Sequence, residues 1–474
     1  MFATTMVISL CVAVLSIVFG FVLNLNARKQ PEGNKKTVDN VKIVIDEVKK
    51  SLGRQNTILF AMIALVFVIV LYLLNWATAI GFLVGAIVTI LMHFVLAQII
   101  TQNCGRAAEA SRKGLGSIAN IALKIGVEAG LLSYGIALLV AAGFYAIFKD
   151  TQGLIGLAFG VCLVSLFTKL SGNVSKEFKI NVSSSISFFE LIVLSMVITM
   201  VLGQAMFQKS SNTILFPIIL ASASAVSFAV ASLFTRFFKS TKKLSTIIFR
   251  TLTIEALLFA AATFFTYNWM IKSIGISSMI NFYGLAIISL IVLFLGGTAI
   301  LLNIYHQIVK SAALIAEKSE LPDDAIDHLT SMGQFEKVSG SLLKFYSAEA
   351  TALVSIVIFA SYYRIILKAD KSISFDLSNY LVLTGLFVGA TAISLFYFQK
   401  NKFIESTNKT ILLCSIIILL PVIIGLTLGP VALGGFVIGI ILTGLFATVF
   451  HSQSFANIVR ISSIVALLIA SKIV

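Results

Sequence analysis

The sequence has 474 residues, of which 58% are hydrophobic and only 12% are charged. The mean hydropathy is +1.03, and a soluble chain carries about twice this charged fraction. These values exclude a soluble enzyme, a secreted disulfide-rich domain and a disordered chain. Apolar stretches of about 20 residues recur along the chain, and each is long enough to cross a bilayer as a helix. A helical membrane protein is therefore predicted, because the strands of a β-barrel would show shorter stretches of alternating polarity.

The apolar stretches predict about fourteen membrane-spanning helices. They cover residues 3–24, 56–76, 78–101, 126–149, 153–171, 186–208, 213–236, 246–268, 277–303, 341–366, 379–399, 408–427, 430–450 and 456–473. The predicted fold class is all-α, a polytopic transmembrane helical bundle that forms one membrane domain over residues 1–474. Two longer polar segments, 25–55 and 304–340, are predicted to be cytoplasmic loops, and the first has the pattern of an amphipathic helix.

The net charge of +15 is explained by membrane topology. Most lysines and arginines follow odd-numbered segments, and the positive-inside rule places such loops in the cytoplasm. The first segment is followed, not preceded, by basic residues such as Arg28 and Lys29, whereas a cleaved signal peptide has its charges in front. Both termini are therefore expected outside the cytoplasm, and no nucleic-acid partner is expected.

Ionisable residues inside the apolar segments are the first candidates for function, because a charge in the bilayer is costly. They are Lys169, Glu190, Glu255 and Arg460, with Arg250 and Glu349 nearer the ends of their segments. Ser187 and Glu190 are three residues apart and share one helix face. Two interpretations remain open for these residues: a static ion pair that fixes helix register, and an ion or proton relay.

Motifs for nucleotide binding, nucleophilic catalysis or zinc binding are not found, and the four cysteines lie far apart in the sequence. The acidic residues between Glu317 and Asp327 could be a divalent-metal site. However, the run Ser319-Glu-Leu-Pro-Asp-Asp is more typical of a helix start, with proline and acids in the first turn. We therefore expect no metal site there.

Several short motifs occur in a characteristic order along the chain. They are Gly81-Phe-Leu-Val-Gly-Ala, Gly105-Arg-Ala-Ala-Glu-Ala-Ser-Arg-Lys-Gly-Leu, Gly130-Leu-Leu, Phe189-Glu190, Leu321-Pro-Asp-Asp and Gly385-Leu-Phe-Val-Gly. With these motifs the sequence resembles the membrane-bound pyrophosphatases that pump protons or sodium ions. The resemblance is collinear over nearly the whole chain, although family members are longer and have more helices.

The resemblance implies a compact helical bundle in a lipid bilayer, usually a homodimer, here in the inner membrane of a bacterium. In the family, diphosphate hydrolysis drives ion translocation, and magnesium is the cofactor. An ion gate lies below the substrate site, and the matching positions here are Lys169, Ser187, Glu190 and Arg460. The sign of the charge is kept at three of them, while Ser187 replaces a carboxylate.

The positions that hold magnesium pyrophosphate in the family differ in this chain. The stretch 171–187 contains no Asp where the family has an Asp-rich loop. Asn303 and Lys310 replace carboxylates, Thr330 and Gln334 replace Asp and Asn, and Lys337 matches a family lysine. Because a lysine at a metal-binding position repels Mg²⁺, we expect no catalytic residue, no bound metal or cofactor, and no pyrophosphate binding.

Three functions remain open at this point. The favoured one is a pseudoenzyme of the pyrophosphatase family with a structural or ion-conducting role in the membrane. The second is an active pyrophosphate-energised pump with a rebuilt site. The third is an unrelated secondary transporter, which would show inverted repeats and broken helices at the midplane.

Overall fold

A computed structural model describes residues 2–473, except 208–211, 238–243, 275–277, 334, 370–372, 374, 404–406 and 451–452. In this part of the chain the predicted all-α fold is confirmed: it contains fourteen α-helices, one 3₁₀ turn at Ser111–Lys113 and no strand beyond an isolated bridge. The helices are α1 (Phe2–Arg28), α2 (Lys35–Leu73), α3 (Trp76–Ala110), α4 (Leu115–Phe148), α5 (Thr151–Ser171), α6 (Ser183–Met206), α7 (Asn212–Phe237), α8 (Leu244–Ile274), α9 (Ser278–Lys318), α10 (Asp323–Gly333), α11 (Phe335–Ala369), α12 (Tyr380–Phe403), α13 (Thr407–Phe450) and α14 (Ser454–Ile473).

The described helices account for the predicted membrane spans. Twelve of them are long and apolar enough to cross a bilayer, and Tyr380–Phe396 in α12 is a shorter apolar helix. The helix α13 has 44 residues and would be about 66 Å long, roughly twice the thickness of the hydrocarbon core. It is interrupted at Gly429, whose φ of 83° is not helical and is readily adopted only by glycine. The two arms of α13 correspond to the predicted spans 408–427 and 430–450.

The two polar segments differ from their prediction as loops, because both are largely helical. The amphipathic pattern of 25–55 becomes the first half of α2, which begins after the N-cap Asn34 and continues into the second span. Its residues Val44, Val48 and Leu52 are buried on one face at a spacing of four. In 304–340, α9 continues to Lys318, and α10 begins with two acids directly after a proline, as the helix-start pattern predicts.

Glycines allow α3 and α5 to pack backbone against backbone. A Cβ atom placed on Gly85 would lie 2.2 Å from the carbonyl oxygen of Leu157, and one on Gly156 would lie 2.1 Å from that of Thr78. Both separations are shorter than any real contact, so only glycine permits this approach. α12 and α13 meet in the same way through Gly385, Gly389, Gly435 and Gly439. The Gly-x-x-x-Gly pairs in the sequence therefore mark these two helix contacts.

The most enclosed helices lie at the centre of the bundle. The apolar stretch of α6 is entirely buried, and those of α5 and α14 are almost entirely buried. α6 packs against α5, α9 and α11, and α14 packs against α5 and α11. The three charged residues predicted for the gate, Lys169, Glu190 and Arg460, lie on α5, α6 and α14. The fold packs these three helices together.

Candidate functional site: a buried polar column

A bidentate ion pair lies at the inner end of the candidate site. Glu190 on α6 and Arg460 on α14 have no solvent-exposed surface. Arg460 donates from Nε and Nη2 to the two carboxylate oxygens of Glu190 at 2.7 and 2.8 Å. Its third nitrogen, Nη1, donates to the hydroxyl of Thr351 on α11 at 2.6 Å. Two parallel charge-assisted bonds fix both side chains and compensate each buried charge.

Asn457 connects this pair to the next layer. It lies one turn before Arg460, and its Nδ2 donates to Glu190 Oε2 at 2.9 Å. The same nitrogen lies 2.8 Å from the hydroxyl of Ser165 and 3.1 Å from that of Ser187. This layer is uncharged and fully buried, and it joins α5, α6 and α14 by hydrogen bonds.

Lys169 forms the outer layer. Its ammonium group on α5 donates to the hydroxyl of Ser184 at 2.9 Å and to Gln453 Oε1 at 3.0 Å. The hydroxyl of Ser184 also donates to Gln453, at 3.2 Å. Lys169 is half-buried, so this layer is the more accessible end of the arrangement.

The three layers form one polar column because their members repeat at helical spacing. We call the following nine residues the polar column: Ser165, Lys169, Ser184, Ser187, Glu190, Thr351, Gln453, Asn457 and Arg460. Residues three or four apart lie on one face of a helix, and each of the three main helices contributes such a face. Beyond the ion pair most residues are apolar and buried, such as Leu194 on α6 and Ile464 and Leu467 on α14. The hydroxyls of Ser195 and Ser463, which also lie there, bond to backbone carbonyl groups of their own helices.

The structure brings together all four residues that the resemblance predicts for a gate. Glu190 and Arg460 are paired directly, Ser187 is linked to them through Asn457, and Lys169 lies in the outer layer. Their action as an ion gate remains a prediction. The sequence reasoning did not identify Asn457 or Gln453, although they lie three and seven residues before Arg460, a helical spacing that was a usable signal.

The other predicted intramembrane charges are separate from the polar column. Glu255 on α8 is buried, and its Oε2 accepts a hydrogen bond from Thr298 at 2.7 Å, while its Oε1 has no hydrogen-bond partner. Arg250 on the same helix and Glu349 on α11 are exposed. A further buried carboxylate, Glu128 on α4, was not predicted and accepts a hydrogen bond from Asn24.

The described positions that match the family's substrate site lie on α9, α10 and α11, and Asn303 among them is hydrogen-bonded within the protein. Asn303 on α9 donates to the hydroxyl of Ser185 at 2.7 Å. One helical turn after Asn303, the side-chain oxygen of Gln307 accepts a hydrogen bond from the backbone N–H of Asn181 at 2.9 Å. Lys310 is half-buried on α9, and Thr330 is exposed on α10. Gln334 and the side chain of Lys337 lie outside the described residues.

The loop between α5 and α6 is fastened by Glu47 of α2. The carboxylate of Glu47 accepts hydrogen bonds from the hydroxyl of Ser175 at 2.6 Å and from the backbone N–H of Lys176 at 3.0 Å. A backbone bridge joins Ser175 to Ile180 across the same loop. In the part of the chain that the structure covers, no three His, Cys, Asp or Glu residues are grouped closely enough to hold a metal ion.

The fold and the column define a multi-pass integral membrane protein with a buried ion pair at its centre. A family model described as inorganic H+ pyrophosphatase matches residues 14–176. The K(+)-insensitive pyrophosphate-energized proton pump of Methanosarcina mazei is 22% identical, over 81% of this chain and 73% of that protein. The putative K(+)-stimulated pyrophosphate-energized sodium pump of Clostridium tetani is 21% identical, over the same shares of both chains.

A third relative covers a shorter region. The K(+)-insensitive pyrophosphate-energized proton pump of Pyrobaculum aerophilum is 26% identical, over 33% of this chain and 24% of that protein. The family resemblance predicted from the motifs is thereby confirmed. The chain is similar to membrane-bound pyrophosphate-energized pumps at low identity over most of its length.

Proposed function

We propose that this protein is a pyrophosphatase-family membrane protein that does not hydrolyse pyrophosphate, and that its polar column is an ion gate held closed by the Glu190–Arg460 pair. The observation that carries the proposal is the hydrogen bond from Asn303 to Ser185, at a position where the family has a metal-binding carboxylate. Its role is then to form a structural element of the membrane, or one that conducts ions passively only when the gate is open.

The donor set at the substrate positions does not fit magnesium pyrophosphate. Mg²⁺ prefers carboxylate oxygens and needs near-octahedral geometry, and it is usually held by carboxylates together with substrate phosphates. Asn303 and Gln307 instead offer neutral amides that are already hydrogen-bonded within the protein. Lys310 adds a positive charge beside them on the same helix. These features support the loss of hydrolysis by the family mechanism.

The geometry of the ion pair supports a closed gate. Both oxygens of Glu190 are occupied by Arg460, and Asn457 adds a further bond. A cation or proton that passed this point would have to replace a bidentate bond between two fully buried side chains, which is costly.

An active pump is the second candidate, because the relatives from M. mazei and C. tetani are named as pyrophosphate-energized pumps and match 81% of this chain. Such an activity would need other carboxylates to hold the metal. The acids at 317–327 are the available group. Glu320 forms a salt bridge with Lys36, and Asp323 lies in the first turn of α10. The arrangement of these acids therefore favours a structural use.

We further propose that the protein is a homodimer in a bacterial inner membrane with both termini outside the cytoplasm. The positive-inside distribution of lysine and arginine supports the orientation, and the family resemblance supports the dimer.

Phosphate release from magnesium pyrophosphate by the purified protein in liposomes tests the proposal, with the M. mazei pump as the positive control. We expect no release above that of empty liposomes. Release at a rate that is abolished by Glu190→Ala would overturn the proposal and favour the active pump.

A dye that reports proton leak in the same liposomes should show low leak for the wild type and faster leak for Arg460→Met.

A further inference from the structure

A basic cleft lies where α1, α2 and α3 meet, away from the polar column. Its volume is about 260 Å³, and we call it the basic cleft. It is lined by Arg28, Glu32, Val38, Val41, Lys42, Ile45, Gln102, Gly105 and Arg106. Three of these residues are cationic and one is acidic, so the lining has a formal charge of +2. The cleft therefore attracts an anion.

Arg106 gives the cleft a prepared donor. Its side chain is only 10% exposed, and its Nη1 and Nη2 donate to the backbone oxygen of Gln102 and to the carboxylate of Glu32. Its Nε is buried and has no hydrogen-bond partner. Native proteins rarely leave such a donor unsatisfied, and Arg106 lines the cleft, so a ligand that reached this nitrogen would satisfy it.

Arg28 adds donors at the end of α1. It donates from Nη2 to the side-chain oxygen of Gln102, and a guanidinium carries five N–H donors. Lys42 lies across the cleft and contacts Asp39 at 3.4 Å. Two guanidinium groups and one ammonium group around a small volume are the chemistry that binds a phosphate group.

The surface of α1 shows which molecule carries the phosphate. Val14, Val18, Phe21 and Leu25 are each about half exposed or more, and their spacing of three or four residues forms a stripe that ends at Arg28. About twenty residues of a helix cross the hydrocarbon core, so Arg28 lies at the level of the lipid headgroups. An acyl chain along this stripe would place its phosphate in the basic cleft.

We propose that the basic cleft binds the phosphate group of an anionic phospholipid, with Arg28 and Arg106 as its main ligands. Val38, Val41 and Ile45 of α2 supply the apolar wall on which the glycerol and the first methylene groups pack. Displacement of the exposed Glu32 would free a second nitrogen of Arg106 for the phosphate. The site is independent of pyrophosphate hydrolysis and of the polar column.

Native mass spectrometry tests this proposal on the full-length protein purified with equal amounts of phosphatidylglycerol and phosphatidylcholine. The variants are Arg28→Gln, Arg28→Gln with Arg106→Gln, and the control Lys113→Gln, an exposed lysine on the neighbouring 3₁₀ turn. We expect the wild type and the control to retain phosphatidylglycerol preferentially. Arg28→Gln should reduce retention about tenfold, and the double variant should abolish the preference.

The single Arg28 variant keeps the test valid if the double variant does not fold, because Arg28 is exposed. Equal retention by the wild type and Arg28→Gln would overturn the proposal, and so would an equal loss in the Lys113 control. A parallel titration with inorganic phosphate distinguishes the two sources of the ligand. Phosphate binding that depends on Arg28, without retention of phosphatidylglycerol, would contradict the lipid assignment.

Discussion

A single carboxylate and a single guanidinium, Glu190 and Arg460, carry opposite charges at the centre of an apolar bundle. The sequence marks both, because a charge inside an apolar segment stands out. It does not mark Thr351 or Asn457 equally well, since neutral polar residues are common in membrane helices. Which of the buried charges become partners depends on helix packing, so the pairing of Glu190 with Arg460 could be confirmed only in three dimensions.

Removal of one member of this pair should be more destabilising than removal of both. Arg460→Met leaves an uncompensated buried carboxylate, which costs about 3–5 kcal/mol, whereas Glu190→Gln with Arg460→Met leaves no charge. Thermal unfolding in detergent should therefore show a lower midpoint for the single variant than for the double variant. The exposed Lys50→Met is the control. If the double variant is at least as unstable as Arg460→Met, the uncompensated charge of Glu190 is not the cause of the instability of the single variant.

Glu47 provides a second prediction for a single residue. Its carboxylate holds the loop between α5 and α6 through Ser175 and Lys176, so Glu47→Ala should loosen that loop. Trypsin should then cut the loop several-fold faster, at Lys176 or Lys179. The control is Asp46→Ala, which changes an exposed neighbour. Equal cleavage rates in both variants would show that Glu47 does not secure the loop.

At the scale of helices, the number of spans was predictable from hydropathy, but their extent was not. A helix that leaves the bilayer becomes polar without ending, so α2 and α9 run on into segments that were predicted as loops. Gly429 separates two spans by a kink inside α13. The substrate positions could be compared with the family from sequence alone, while the hydrogen bonds that join Asn303 to Ser185 and Asn181 to Gln307 required the structure.

The contact between α3 and α5 should be the helix packing most sensitive to a larger side chain. Gly156→Leu would drive its side chain into the backbone of Thr78, where even a Cβ atom would lie 2.1 Å from the carbonyl oxygen. We expect this variant to lose folded protein on size-exclusion chromatography. Gly143→Leu is the matched control, because a Cβ atom there meets nothing within 4 Å. Normal folding of Gly156→Leu would contradict the close packing of these helices.

On the scale of the whole molecule, the proposal is a helical bundle like that of the similar pumps with altered substrate positions. The similarity to the M. mazei pump covers 81% of the chain at 22% identity. The proposed loss of hydrolysis rests on Asn303 and Lys310, whose side chains do not provide the carboxylates that Mg²⁺ prefers. Helix α6 connects the two regions, because it carries residues of the polar column and also Ser185, the hydrogen-bond partner of Asn303 on α9.

Isothermal titration calorimetry of magnesium pyrophosphate into the purified protein tests the central claim most directly, because it detects an occupied site without requiring turnover. The M. mazei pump, titrated in the same buffer, shows the signal of a functional site. We predict no saturable heat for this protein at millimolar ligand concentrations. Saturable binding at micromolar concentrations, weakened by substitution of Lys310 or Asn303, would contradict the account.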